Sequence, residues 1–180
     1  LFTGCQNQSL SEGNGKLFII GGGTRSQELV DTMISLSEMA ESGYAVVLPY
    51  SSEVPVEASA YISEQLQNGG VSGVYPIYAP SDGILRKSQI DTIRNAALIY
   101  ITGGDQNKFM VMAKKNDLIR IIRSAWHDGS MISGTSAGAA VMSEKMITGN
   151  SLLHPVYTGN FPAIEANNIE LAEGLGLLST

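Results

Sequence analysis

Residues 131–140 read MISGTSAGAA, and this stretch decides how the rest of the chain is interpreted. Its apolar start suits a buried strand, and the small residues after Ser136 suit a helix that runs on towards residue 142. Gly134 and Gly138 stand two residues either side of the serine, where glycine relieves the crowding of a sharp strand-to-helix turn. The pattern predicts a nucleophile elbow with Ser136 exposed at the carboxyl edge of a sheet. A small-residue turn with no catalytic role would have the same sequence pattern.

The helix after the elbow would supply a backbone donor. The first N–H groups of a helix have no partner inside it and carry partial positive charge. Ala137 N–H is therefore the natural donor to an oxyanion formed at Ser136.

Upstream of the elbow, apolar runs alternate with segments of helical periodicity. Strands are predicted over residues 17–20, 45–48, 74–78 and 97–102. A capping box of Thr24 and Gln27 is predicted to open the first helix, Gly43 to end it, and residues 109–126 to form one long helix. Continuous apolar strands between amphipathic helices indicate a doubly wound α/β domain, with a mostly parallel sheet and helices on both faces.

Composition limits the class of function. The chain has 180 residues, of which 43% are hydrophobic, enough for one domain with a substantial core. A net charge of −6 without any run of Lys or Arg argues against nucleic-acid binding. The first glycine turn, residues 21–23, lacks the third glycine of a dinucleotide-binding loop because Ser26 stands there. We therefore predict no cofactor and no metal.

The amino-terminal residues 1–15 are predicted to be a flexible tether ahead of a single domain over residues 16–180. Small residues precede Cys5, as they precede the lipid-modified cysteine of a bacterial lipoprotein. This favours an exported protein that is lipid-anchored through Cys5. Phe2 departs from the leucine usual at that position, so an ordinary tail on a cytoplasmic protein is the alternative.

Residues 102–106 read TGGDQ, and residues 134–142 read GTSAGAAVM. Together these two motifs resemble the cyanophycinase and dipeptidase E family of serine peptidases. Residues 174–177, which read GLGL, are similar to the family segment just before its catalytic histidine. The likeness covers most of residues 16–178, is closest to cyanophycinase, and implies a flavodoxin-like or class I glutamine amidotransferase-like fold.

By position, this resemblance implies roles for four residues. Ser136 would be the nucleophile, the backbone N–H groups of Gly103 and Ala137 would form the oxyanion hole, and Gln106 would contact the substrate. The substrate would be a β-aspartyl-arginine unit of cyanophycin or a related aspartyl peptide, and the protein would be a homodimer. The residues alone also allow a simpler interpretation of the TGGDQ motif, in which Asp105 caps a helix.

A serine nucleophile needs a base, and the histidine that the resemblance implies would lie beyond Thr180. The chain contains only His127 and His154. His127 is expected at the end of a helix and His154 in an irregular loop, so neither replaces the family residue convincingly. We therefore expect a chain that lacks its last strands and associates through an exposed sheet edge.

Three functions stay open from the sequence. The first is a serine exopeptidase resembling cyanophycinase, which forms an acyl-enzyme on Ser136. The second is a non-catalytic cell-surface relative that binds aspartyl or arginyl peptides in the same pocket. The third is an α/β-hydrolase-type esterase, which would use the same elbow but leaves the TGGDQ motif unexplained.

Overall fold

The computed structural model describes residues 14–39, 42–154 and 165–178. Its strands are β1 (Leu17–Ile20), β2 (Tyr44–Leu48), β3 (Gly73–Pro76), β4 (Leu98–Ile101), β5 (Met131–Thr135), β6 (Lys145–Ser151) and β7 (Ile169–Glu173). Its helices are α1 (Gln27–Ser37), α2 (Pro55–Asn68), α3 (Lys87–Arg94), α4 (Gln106–Lys115), α5 (Leu118–His127) and α6 (Ala137–Ala140). Within these ranges, none of the helices has the length and apolar character needed to cross a bilayer. Cys5 lies outside the described residues.

A five-stranded parallel sheet confirms the predicted α/β fold. The strand order in the described ranges is β1-β5-β4-β2-β3, and every neighbouring pair is parallel. All residues of the central strands β4 and β5 are buried, as expected for strands covered by helices on both faces. Strands β6 and β7 form a separate antiparallel pair.

The two faces of the sheet carry separate apolar clusters. On one face, α1 and α2 contribute Met33 and Leu66 to a cluster that includes Tyr100 of β4. On the other face, α3, α4 and α5 pack around a cluster that includes Ile99 and Ile101. Successive residues of a strand point to opposite faces, which explains this division of β4. Tyr100 therefore lies on the α1/α2 side, near the carboxyl edge of the sheet.

The start of α1 corrects the predicted capping box of Thr24 and Gln27. Ser26 is the N-cap, and its Oγ accepts a hydrogen bond from Leu29 N–H at 3.2 Å. The Gln27 amide instead donates to the backbone carbonyl of Gln65 in α2 at 2.9 Å. The predicted box was wrong because Gln27 has a tertiary partner that the local sequence does not reveal.

Helix α1 and the helix after the elbow are both shorter than predicted. Helix α1 ends at Ser37 rather than at Gly43, because Glu38 adopts a left-handed conformation with φ 52°. The helix after the elbow is a single turn, Ala137–Ala140, and does not continue to Met142. A single turn has little macrodipole, so Ala137 N–H would act through its own hydrogen bond and not through a helix dipole.

The long helix predicted over residues 109–126 is two helices, α4 and α5. The break comes where Asn116 bonds to the loop before α3: its Oδ1 accepts from Leu85 N–H at 2.8 Å, and its Nδ2 donates to Gly83 O at 3.1 Å. Asp117 follows with φ 55°. The helix breaks here because the Asn116 side chain forms hydrogen bonds with the loop before α3.

The packed fold extends into the last part of the predicted tether. Gly15 N–H donates to Trp126 O at 2.9 Å, and Asn14 N–H donates to His127 O at 3.5 Å. A Cβ on Gly15 would lie 2.3 Å from Trp126 O. Residues 14 and 15 therefore pack against the end of α5.

Candidate active site

Ser136 lies in the turn between β5 and α6, with φ 52° and ψ −113°. Few residues with a side chain adopt such a backbone conformation, which costs roughly 1–3 kcal/mol and is held only by strong surroundings. Here Ser136 N–H donates to Ile20 O at 3.1 Å and to Gly21 O at 3.2 Å, which ties the turn to the end of β1. The Ser136 residue is exposed.

Gly134 and Gly138 have no room for a side chain. A Cβ on Gly134 would lie 2.4 Å from Gly138 O, and a Cβ on Gly138 would lie 2.2 Å from Ile101 O in β4. Both distances are far inside van der Waals contact. The two glycines therefore allow α6 to pack directly on the sheet, which fixes the position of the Ser136 turn.

The two residues predicted to form the oxyanion hole lie either side of Ser136. A Cβ built on Gly103 would be 3.4 Å from Ser136 Cβ, so the glycine turn after β4 adjoins the serine. Ala137 is the first residue of α6, and its N–H has no partner within that helix. The structure thus brings Gly103, Ser136 and Ala137 together, while their chemical roles stay predictions.

The first residues of α4 make hydrogen bonds that stabilise the fold. Asp105 caps the helix as expected, since its side chain accepts from Asn107 N–H at 2.7 Å. Gln106 Nε2 donates to Ile147 O at 2.8 Å, and Asn107 Nδ2 donates to Thr148 O at 3.0 Å. These bonds fasten the β6–β7 hairpin to α4. The predicted substrate contact of Gln106 would therefore have to use its amide oxygen or its second amide N–H.

Neither histidine hydrogen-bonds to Ser136 in the described structure. His127 ends α5 just before β5, whereas Ser136 follows β5; five strand residues separate the two by ~16 Å. His154 Nε2 lies 2.6 Å from Glu165 Oε1, in a partly exposed pair. His127 is therefore excluded as the base for Ser136, and His154 is paired with a carboxylate.

A cleft of about 290 Å³ opens beside Ser136 on the α1/α2 side of the sheet. The glycine-rich turns at residues 21–23, 103–104 and 134–138 meet around it, because the carboxyl ends of parallel strands share one edge. The lining residues are Gly22, Gly23, Arg25, Ala58, Tyr61, Tyr100, Thr102, Gly103, Thr135 and Ser136.

One wall of this cleft was not predicted from the sequence. The Arg25 guanidinium carbon lies 4.9 Å from the Tyr61 ring centroid and 5.6 Å from that of Tyr100. Tyr100 and Thr102 come from the end of β4, where alternate residues share a face. That alternation could have placed both hydroxyls beside Gly103, but only the tertiary structure brings Arg25 to them.

The Tyr100 and Thr102 hydroxyls are buried, and neither makes a hydrogen bond of normal geometry with a described residue. Burial raises the pKa of Tyr100 to about 12, although the Arg25 charge and the Thr135 hydroxyl act in the opposite direction. Tyr100 is therefore protonated at neutral pH and can donate. Buried hydroxyls normally have partners, so two unpaired ones at a cleft indicate a place for a ligand or water.

The family model for peptidase family S51 matches residues 17–179. The chain belongs to peptidase family S51. The S51 chain is 26% identical over 167 residues to the cyanophycinase of Nostoc sp., covering 90% of this chain and 53% of that relative. Over 81 residues it is 35% identical to the cyanophycinase of Synechococcus elongatus, covering 44% of this chain and 23% of the relative. It thus spans about half the length of the Nostoc relative.

Solved structures share the fold of this S51 chain. A peptidase from an acI-B1 Actinobacterium matches with a TM-score of 0.63 at 20% identity, covering 92% of this chain and 66% of that chain. A protein from Listeria monocytogenes matches with a TM-score of 0.58 at 19% identity, covering 91% and 75% respectively. At these identities the likeness supports the α/β architecture alone.

Proposed function

We propose that this S51 chain carries the nucleophile of a serine exopeptidase that resembles cyanophycinase and hydrolyses β-aspartyl-arginine units or related aspartyl peptides. The observation that carries the proposal is the backbone of Ser136, with φ 52° and ψ −113°, between glycines that allow no side chain. Membership of a peptidase family and two relatives named cyanophycinase support it.

In this mechanism the Ser136 hydroxyl attacks the carbonyl carbon of the scissile bond while a base takes its proton. The N–H groups of Gly103 and Ala137 stabilise the negative charge on the carbonyl oxygen, and losing one such donor typically costs ~10²–10³ in rate. The amine then leaves with a proton. Water hydrolyses the acyl-enzyme and frees the serine.

The base has to come from a histidine other than His127. We assign it to the histidine that the family resemblance places after residues 174–177. The pair of His154 and Glu165 is the alternative, since a carboxylate at 2.6 Å from the ring nitrogen is the partner that a catalytic histidine uses.

One observation favours a second function. Neither His127 nor His154 is bonded to Ser136, which suits a non-catalytic relative that binds aspartyl or arginyl peptides in the cleft. An esterase is the third function, and the family match weighs against it because S51 proteins are peptidases.

The test uses the protein expressed from its natural gene and measures the β-aspartyl-arginine dipeptide released from cyanophycin. Ser136→Ala should lower turnover by at least about 10⁴-fold, because it removes the nucleophile. The matched control is Ser81→Ala, at an exposed serine in the loop before α3, which should keep full activity.

Each alternative has its own outcome in this test. Unchanged turnover in Ser136→Ala rejects the serine mechanism. Binding of cyanophycin without hydrolysis by the unsubstituted protein favours the non-catalytic function. Hydrolysis of simple esters but not of aspartyl peptides favours the esterase.

A further inference from the structure

Arg25 occupies the cleft beside Ser136, and the proposed reaction does not use it. The side chain is half-buried and lies against the rings of Tyr61 and Tyr100. The ion pairs found among the described residues involve other cations, although the chain as a whole has a net charge of −6. An arginine held in a cleft without a carboxylate partner is available to an anionic ligand.

Contacts on one side hold the Arg25 guanidinium in place. Its Nε donates to Gln65 Oε1 at 3.4 Å, and Gln65 Nε2 donates back to Arg25 O at 3.1 Å. Gln65 is only 8% exposed, and its own backbone carbonyl accepts from Gln27 at 2.9 Å. Because Nε faces Gln65, the two terminal nitrogens of the guanidinium are the donors left for a ligand.

Two further donors line the same cleft. Tyr100 is 0% exposed and Thr102 is 3% exposed, and their hydroxyls lack hydrogen-bond partners of normal geometry among the described residues. The lining contains no Asp or Glu side chain. A cation and two hydroxyls with no facing acid suit a ligand that accepts several hydrogen bonds and carries negative charge.

A carboxylate fits these donors best. Its two coplanar oxygens match the fork of a guanidinium, and a hydroxyl can donate to each remaining lone pair. The cleft volume of about 290 Å³ is at the low end for ligand sites, which suits one small side group rather than a long chain. Ser136 and Gly103 line the same space, so a carboxylate there belongs to the residue whose carbonyl reacts.

We propose that this cleft is a carboxylate subsite, in which Arg25, aided by the Tyr100 and Thr102 hydroxyls, binds a free carboxylate of the substrate next to the carbonyl presented to Ser136. The inference rests on the proposed function for the reaction at Ser136. Binding of the carboxylate can nevertheless be measured without any reaction. Arg25 is then the residue that selects acidic over neutral substrates.

The test measures binding by calorimetry to the Ser136→Ala protein expressed from its natural gene. The two ligands are β-aspartyl-arginine and the same dipeptide with its aspartyl carboxylate converted to a carboxamide. The acid should bind at least about 10-fold more tightly than the amide, and Arg25→Gln should reduce that ratio to within about 3-fold by removing the charged, bidentate donor. Arg25→Lys, which keeps the charge but not the fork, should give an intermediate ratio.

The matched control is Arg94→Gln, which removes the same charge from an exposed position at the end of α3. It should keep the full ratio, and thermal unfolding should show that each variant is folded. The inference is overturned if the acid and the amide bind equally before substitution, if no saturable binding of the acid is found, or if the preference survives Arg25→Gln.

Failure of this inference and failure of the proposed function can be told apart. An acid preference that depends on Arg25, in a protein whose hydrolysis does not depend on Ser136, keeps the subsite and rejects the serine mechanism. Hydrolysis that depends on Ser136, with an acid preference that survives Arg25→Gln, keeps the serine mechanism and rejects the subsite.

Discussion

Gly138 shows at the residue scale how little space the candidate site leaves. An alanine Cβ there would lie 2.2 Å from Ile101 O and 2.8 Å from Ile101 C, both backbone atoms of the central strand β4. Neither a strand nor the Ser136 turn can move away without breaking sheet contacts. Gly138→Ala should therefore lower the free energy of unfolding by about 2–4 kcal/mol.

Chemical denaturation measures this effect, and Gly21→Ala is its matched control. A Cβ on Gly21 would meet nothing within 4 Å, so that variant should stay within about 1 kcal/mol of the parent. Equal stability of the two variants would show that the close approach of α6 to β4 is not required.

At the scale of the element, the β6–β7 hairpin depends on the carboxylate of Glu170. Glu170 Oε2 accepts from Thr148 Oγ1 and from Asn150 Nδ2, both at 2.7 Å. These two hydrogen bonds, that from Thr148 first, hold the pKa of Glu170 below its ordinary value of 4.5. A lowered pKa means that the folded hairpin favours the ionised form, so its contribution is present above 4.5 and is lost as pH falls through the folded pKa.

We predict that hydrogen exchange of the hairpin amides becomes faster on the acid side of this range, after correction for the intrinsic rate. Glu170→Gln should remove most of that added pH dependence, because the amide does not titrate there. Glu173→Gln, on the same strand but paired with Lys114 at 3.4 Å, is the control that should retain it. The same pH dependence in both variants would assign it to another group.

At the scale of the whole molecule, the sheet presents two edges in the described structure. Strand β1 pairs only with β5, and β3 pairs only with β2. Tyr75 on β3 is 50% exposed, but its ring packs against the Tyr44 ring with the centroids 5.4 Å apart; Ile19 on β1 is 49% exposed. An edge strand with an exposed apolar side chain is a template for pairing with another chain.

We therefore propose that two copies associate through β1. Light scattering on the eluting protein should give the mass of a dimer, and Ile19→Lys should shift it to a monomer because a lysine on an edge strand opposes pairing. Tyr75→Lys on the opposite edge should leave the mass unchanged. A stable, compact monomer of the unsubstituted chain would contradict the proposal.

Most of the fold could be predicted because strands and helices follow local periodicity. The strands β1, β2 and β4 lie close to the predicted ranges. Helix ends were predicted less well where a side chain has a distant partner. Gln27 bonds to α2 instead of forming a capping box, and Asn116 bonds to the loop before α3 and so divides a helix.

The sequence by itself determined the strand-to-helix turn at Ser136, since glycines two residues either side of a serine encode that local geometry. It also determined the cap at Asp105. Only the tertiary structure decided that Arg25 lies between the rings of Tyr61 and Tyr100 beside the serine. The physical reason is that those residues are far apart along the chain. Arg25 and Tyr100 meet because parallel strands bring their carboxyl ends to one edge of the sheet, and Tyr61 is brought to them by α2, which packs on that face.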